Sequence, residues 1–404
     1  MMKVEIAFDL SANGQGNFFT LDDPVKGVLG GTVSSPLAGD VLTDITEYVR
    51  SVQVKRGRSR ILEKFTAGIA NVALDNRGRV FDPLYASSPF FGNIGPRKQI
   101  QISDNNEMLF VGNVEDWDFS YSPAGDSVAE VQAVDGFAVV TPEQLNAGTA
   151  TSQLTGARVG AVLDDIDWPL GQRRISTGRA TLDADVVAAG TNSLAYLQKV
   201  ELSEPGALFI GRDGFFTFLD RDDLQTYTSA VTFGTAGIPF TNIGVVFGTE
   251  EMTNSVTVTY YGGTAVGGTV TASDSASQAA YGVINQTYDT LLDTATDAQE
   301  LADWLVGTYA QPRYRVDSLT VNVSALSTVN AATVEALELG DTVLVQWTPN
   351  GIGSAISQYV TIDGIEHAAS PANHDVTFNL SQATVAFTLN DTFFGTLDNN
   401  VLGF

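Results

Sequence analysis

From Asp44 to Val134 the chain alternates apolar and polar residues in short runs, which confines this region to strands with one buried face. Val49-Arg50-Ser51-Val52-Gln53-Val54-Lys55-Arg56-Gly57 has the period of two expected of a half-buried strand. Ile69-Ala70-Asn71-Val72-Ala73-Leu74 repeats it before the turn signal Asp75-Asn76-Arg77-Gly78. Ile100-Gln101-Ile102 and Leu109–Val114 follow, separated by Asp104-Asn105-Asn106. Trp117, Phe119 and Tyr121 then alternate, and Val128–Val134 adds one more strand. Short strands separated by turns at such spacing predict a sandwich or barrel.

Residues 150–225 read differently. Arg158–Ile166 puts Val159, Val162, Leu163 and Ile166 on one helical face, and Ser193–Leu202 forms a second short helix. Leu208–Phe218 is a hairpin, whose Asp213-Gly214 supplies the positive φ of a tight turn. Residues 226–295 are rich in Thr and Gly, with one clear strand at Ser255–Tyr261. A helix follows, with Thr296 and Gln299 spaced as a capping box and Leu301, Trp304, Leu305 and Tyr309 as its buried stripe. From Arg315 the chain returns to strands: Leu319–Val323, Gly340–Trp347, Tyr359–Ile365 and Val376–Leu380.

The expected fold class is mainly β with an α+β insert: two tube-like β-barrel domains plus smaller α+β modules. The boundaries are 1–43 (N-terminal arm), 44–145 (first barrel), 146–225 (small α+β domain), 226–314 (Thr/Gly-rich β domain with one helix), 315–385 (second barrel) and 386–404 (C-terminal arm). In the first arm Phe8, Phe18 and Phe19 are too apolar for free solvent and are expected to dock on a neighbouring surface.

Two internal echoes support a repeat. Val111 and Val114 lead to Trp117, the turn Ser122-Pro123-Ala124 and the returning Ala129 and Val131. Tyr359 and Ile362 lead to Ile365, the turn Ser370-Pro371-Ala372 and the returning Phe378 and Leu380. Each unit is preceded by a short strand, Ile100-Gln101-Ile102 or Leu344-Val345-Gln346. The second echo joins the arms: Phe19–Leu29 and Phe387–Leu397 are identical at six of eleven positions.

Forty-seven acidic residues against 21 Lys and Arg leave a net charge of −26, unfavourable for holding nucleic acid phosphates. Such a charge serves either solubility or a wall past which DNA must slide, and charge alone does not choose between them. Nine of the 21 cations fall between residues 55 and 98, a candidate docking face for an acidic partner. Arg56, Arg58 and Arg60 are the candidate subunit-interface residues there, joined by Phe393, Phe394, Leu402 and Phe404 in the apolar tail.

Catalytic chemistry is poorly provided. The chain has no cysteine, which removes thiolate nucleophiles, thiolate metal sites and disulfides. Its two histidines, His367 and His374, straddle the second Ser-Pro-Ala turn and read as surface residues, short of the three ligands of a catalytic zinc site. The aspartate groups Asp164, Asp165, Asp167 and Asp220, Asp222, Asp223 read as solvated turns. No phosphate loop, dinucleotide fingerprint or Gly-x-Ser-x-Gly elbow is present. No enzyme activity, cofactor or metal is expected. No run approaches a membrane span, and the acidic start lacks the unbroken apolar run of a secretory signal.

Several short motifs carry a family resemblance. Asp44–Val52, Arg56-Gly57-Arg58, Phe65-Thr66-Ala67-Gly68, Leu74-Asp75-Asn76-Arg77 to Phe81-Asp82-Pro83, Gly112–Trp117, Asp135-Gly136-Phe137, Asp220-Arg221 and Leu339-Gly340-Asp341 occur in the order seen in minor tail proteins of long-tailed phages. The chain resembles that family, and through it the baseplate hub of contractile tails. The resemblance implies a homotrimer in which two barrels per chain imitate a sixfold collar. The collar would join the hexameric tail tube to the threefold tip at the virion tail tip, after synthesis in the host cytoplasm. Implied partners are distal tail and tail tube proteins and other tip, tape-measure or fibre proteins. DNA would pass without specific binding, and no membrane insertion is implied. Ending at Phe404, the chain is expected to carry no fused lytic domain. A receptor- or carbohydrate-binding tail protein, a distal tail ring protein and a carboxylate-based wall hydrolase are the alternatives.

Overall fold

The computed structural model describes residues 2–8, 42–59, 63–225, 231–262 and 266–383. Arg60, Phe18, Phe19, both copies of the arm echo, and Phe393, Phe394, Leu402 and Phe404 lie outside them.

The first strands are β1 (Lys3–Ala7), β2 (Leu42–Asp44), β3 (Val49–Gly57), β4 (Thr66–Asp75), β5 (Gln99–Asp104), β6 (Glu107–Tyr121) and β7 (Ser127–Val134). The sequence alternation becomes burial: Val52 and Val54 of β3, Ala70, Val72 and Leu74 of β4, and Ala129, Val131 and Ala133 of β7 all face one core. Phe8, fully buried, stacks on Phe90 at 4.1 Å, so its docking surface belongs to its own chain. The β5–β6 hairpin turns through Asn105 and Asn106 alone, at φ 48° and 68°, a conformation asparagine tolerates better than most residues.

The insert contains α1 (Thr155–Asp165), β8 (Arg173–Ile175), α2 (Ser193–Ser203), β9 (Ala207–Ile210) and β10 (Phe216–Leu219). β9 and β10 form the expected hairpin through a five-residue loop, in which Gly214 alone takes positive φ. Arg158 of α1 is buried, donating to the Tyr196 hydroxyl and to the carbonyls of Thr151 and Asp183, which ties the two helices together.

Next come β11 (Thr232–Gly234), β12 (Asn242–Phe247), β13 (Ser255–Tyr261), β14 (Val266–Ser273), β15 (Asn285–Asp289) and α3 (Ala295–Tyr309). β13 to β15 make a three-stranded sheet under α3, packed through Val256, Val258, Leu301 and Leu305. The cap of α3 is Thr294, whose hydroxyl accepts from the Asp297 N–H; the expected Thr296 lies inside the helix. The last elements are β16 (Tyr314–Asn322), α4 (Thr328–Glu335), β17 (Thr342–Trp347), β18 (Ile356–Ser370) and β19 (Asn373–Gln382).

Among the described residues thirteen strands form one sheet, in the order β12-β16-β19-β18-β3-β4-β7-β6-β5-β1-β2, with β17 on β18 and β11 on β17. The mainly-β expectation with an α+β insert holds. Among the described residues neither unit closes into a barrel; each is an open sheet that continues into the other. The second unit draws its first strand, β12, from the stretch that the sequence grouped with the Thr/Gly-rich module.

Candidate functional site

Within that sheet one five-strand pattern occurs twice. β3 to β7 lie in the order β3-β4-β7-β6-β5, and β12, β16, β17, β18 and β19 in the order β12-β16-β19-β18-β17, all neighbours antiparallel. The fourth strand of each unit, β6 or β18, is 15 residues long. Each is bulged at matching points, between Val114 and Asp116 and between Ile362 and Gly364. One displacement along the chain superposes these bulges, Trp117 on Ile365 and the two Ser-Pro-Ala segments. Whole rows across the strands correspond: Val52-Val72-Val131-Trp117 in one unit, Ile243-Leu319-Phe378-Ile365 in the other. The return strands differ from the sequence alignment. Phe378 matches Val131 and Leu380 matches Ala133, because the first turn spans residues 122–126 whereas the second is Pro371-Ala372 alone.

The units meet where the end of β18 pairs antiparallel with β3, from Gly364 opposite Gly57 to Ala369 opposite Val52. Two of the candidate arginines sit here. Arg56, 3% exposed at an inward-facing position of β3, pairs with Glu338 at 2.8 Å and donates to the Ile210 carbonyl. Arg58 donates through Nε and Nη2 to Asp363, the bulge residue of β18, and lies over the Phe65 ring at 4.4 Å. Their acidic partners come from the chain's own second unit. Gly57 permits the approach: at φ +93° an added Cβ would lie 2.3 Å from the Asp363 carbonyl oxygen.

The corresponding edges elsewhere are open. β5 covers β6 only as far as Asn113, so Asp116–Tyr121 has β7 on one side and no strand on the other among the described residues. β12, the counterpart of β3, pairs with β16 and ends the sheet among the described residues. Tyr121 is 55% and Phe247 68% exposed on these two edges. Uncovered apolar strand edges are templates for pairing with another chain.

A polar cluster lies beside the seam. His367 and His374, expected at the surface, are buried, because β3 continues the sheet on one side while α4 and the β5–β6 turn cover the other. His367 Nδ1 and His374 Nε2 are 3.1 Å apart. His374 Nδ1 faces Asp104 at 3.4 Å and Glu335 at 3.5 Å, and Asn105 donates to both oxygens of Glu335. Burial, with His374 alongside, holds His367 well below the usual histidine range. Burial opposes charge on His374 too, yet the facing carboxylates of Asp104 and Glu335 raise it. No local sequence pattern marks this group, whose members come from four elements.

The aspartate clusters are local. Asp164 pairs with Arg173, Asp165 accepts from Asn146, and Asp220 and Asp223 cap each other's backbone. A cavity of about 110 Å³ between the modules is lined by Arg58, Phe65, Glu201, Trp304 and Tyr309 among others. Burial pushes the Glu201 carboxyl up to about 7, and Asp363, which also lines it, is held by Arg58.

No family model matches the chain, and no curated protein does. Solved structures share the fold. A tail protein from Neisseria meningitidis MC58 superposes with TM-score 0.59 at 9% identity, over 95% of this chain and 97% of that one. The 43 kDa tail protein of prophage MuSo2 from Shewanella oneidensis gives 0.56 at 14% identity, over 85% and 97%. The chain therefore has the fold of these tail proteins, and the resemblance read in its motifs is borne out at that level.

Proposed function

We propose that the chain is a structural, non-enzymatic component of a phage-type tail, a hub that assembles as a ring of three copies at the tail tip. The observation that carries this reading is the seam. Inside one chain, the fourth strand of unit two pairs with the first strand of unit one. Among the described residues the fourth strand of unit one and the first strand of unit two are left open; β6 carries the same bulge as β18, and the cross-strand rows of the two units correspond. Repeating the internal junction between chains joins β6 of one copy to β12 of the next. Three chains of two units then supply six equivalent places, matching a sixfold tube above and a threefold tip below.

The internal ladder also fixes the register between copies. Ala369 opposite Val52 translates to Tyr121 opposite Ile243, and Ile365 opposite Arg56 to Trp117 opposite Phe247. The net charge of −26 suits a ring through which DNA slides without adhering. Tube, tape-measure or fibre proteins would dock on the ring's two ends.

The test uses the absence of native cysteine. Tyr121→Cys combined with Ile243→Cys places thiols on facing positions of neighbouring copies, within disulfide reach of a directly opposed pair. Oxidation of assembled protein should give covalent species ending at the trimer. Ser120→Cys with Ile243→Cys, turned to the other face, should give none. Equal cross-linking by both pairs, or a ladder that stops at the dimer or runs on to the hexamer, contradicts the reading.

A further inference from the structure

The His374 cluster does work that the ring reading does not use. His374, Glu335 and Asp104 are 5%, 1% and 8% exposed. Their ligand-type atoms all lie within 4.8 Å of one another. Among the described residues His374 Nδ1 has no hydrogen-bond partner of good geometry, although it is buried and aimed at two carboxylates. Those oxygens stand 3.4 and 3.5 Å away, longer than the roughly 2.8 Å of a charge-assisted N–H···O bond. Donor atoms bound at about 2.1 Å to a tetrahedral ion lie roughly 3.4 Å apart. The two distances from His374 Nδ1 are close to that ligand spacing and longer than a donor's from its acceptor.

The outer contact agrees. His367 Nδ1 stands 3.1 Å from His374 Nε2. The opposite ring nitrogen, His374 Nδ1, faces Asp104 and Glu335. A ligating histidine typically gives its other N–H to such an outer partner. Asn105 steadies Glu335 in the same way. A cavity of about 190 Å³, lined by Asp104, Asn105, Ser324, Thr328 and His374 among others, adjoins the group and offers an entry path and a place for a water ligand.

We infer that Asp104, Glu335 and His374 form a binding site for one divalent transition-metal ion of the zinc class, completed by water from the adjoining cavity. Imidazole nitrogen and carboxylate oxygen are both ligand types that such an ion takes. Asp104 belongs to the first unit and Glu335 and His374 to the second, so the ion clamps the two halves of the repeat together. Its role is structural, bound where β5, α4 and β19 converge.

The full-length chain, stripped with chelator, should be titrated with Co²⁺. The inference expects saturation at one ion per chain, with the intense visible absorption of tetrahedral Co²⁺, displaced by Zn²⁺. Glu335→Gln should weaken binding at least about tenfold while leaving the circular dichroism unchanged, and Zn²⁺ should raise the melting temperature of the parent but not of the variant. Should Glu335→Gln fail to fold, Asp104→Asn takes its place, and the titration of the parent still decides. No tetrahedral spectrum from the parent, or equal affinity in parent and folded variant, overturns the site. Ring assembly is read separately by cross-linking, so loss of one result leaves the other standing.

Discussion

Arg58 donates through Nε at 2.9 Å and Nη2 at 2.8 Å to one oxygen of Asp363, 305 positions further along the chain. The first residue follows β3 and the second is the bulge of β18, so the pair fastens one repeat to the other. Asp363 is 2% exposed. Removing Arg58 leaves a buried carboxylate without its cation, at a cost of about 3–5 kcal/mol. Arg58→Ala should therefore lower the denaturation midpoint strongly, and adding Asp363→Ala should cost less than the sum of the single changes. Strict additivity in that cycle would contradict direct coupling.

Counted from the corresponding residues Val52 and Ile243, Gly57 and Gly248 stand at the same distance along the chain. At Gly57 a methyl group would meet the Asp363 carbonyl, and positive φ alone costs roughly 1–2 kcal/mol. Nothing lies within 4 Å of a Cβ at Gly248. Gly57→Ala should destabilise the isolated chain by about 3 kcal/mol or more. Gly248→Ala should leave its melting unchanged yet weaken association, since the neighbouring copy would bring its own bulge to this point. Equal melting of the two variants would refute the equivalence.

Phe247 is 68% exposed at the end of β12. Phe247→Lys places a charge on an open strand edge, a device that blocks pairing between chains. Stability of the isolated chain should stay within about 0.5 kcal/mol. Sedimentation should show the association lost; trimers of normal affinity would count against the β6–β12 junction.

The repeat was legible in part. The matched Ser-Pro-Ala segments exposed the equivalence of Trp117 and Ile365, because both fourth strands carry the same spacing from bulge to turn. Strand β12 was assigned elsewhere, since Asn242–Phe247 has no clean alternation and its partner β16 begins about 70 residues later. Arg56 carried a misleading signal: the alternation put a charge at an inward position, and only the fold supplies Glu338. The histidines failed as sequence signals for a related reason. A hairpin turn is ordinarily exposed, and nothing local announces that α4 and the Asn105-Asn106 turn will bury this one.

Glu201 is buried, and desolvation raises its carboxyl to about 7 from an ordinary value of 4.5. A carboxyl with a raised folded-state value holds its proton longer in the folded chain. Its contribution is thus most favourable below about pH 4.5 and is lost as pH rises through 7. Glu201→Gln keeps an acceptor for the Leu208 N–H and removes that titration. Parent and variant should match near pH 4.5 and diverge towards pH 8, where the variant is more stable by roughly 2–3 kcal/mol. Parallel stability curves from pH 4.5 to 8 would show that burial does not govern this group.

The central claim, that one chain carries two equivalent places in a sixfold collar, is tested most directly by the copy number and symmetry of the chain in an assembled tail. Electron-microscopic reconstruction without imposed symmetry, with native mass measurement of the isolated ring, supplies both. The account predicts three copies, with β6 of each continuing into β12 of the next so that six similar sheets surround one channel. Six copies, or three copies whose β6 and β12 edges face solvent, would contradict it.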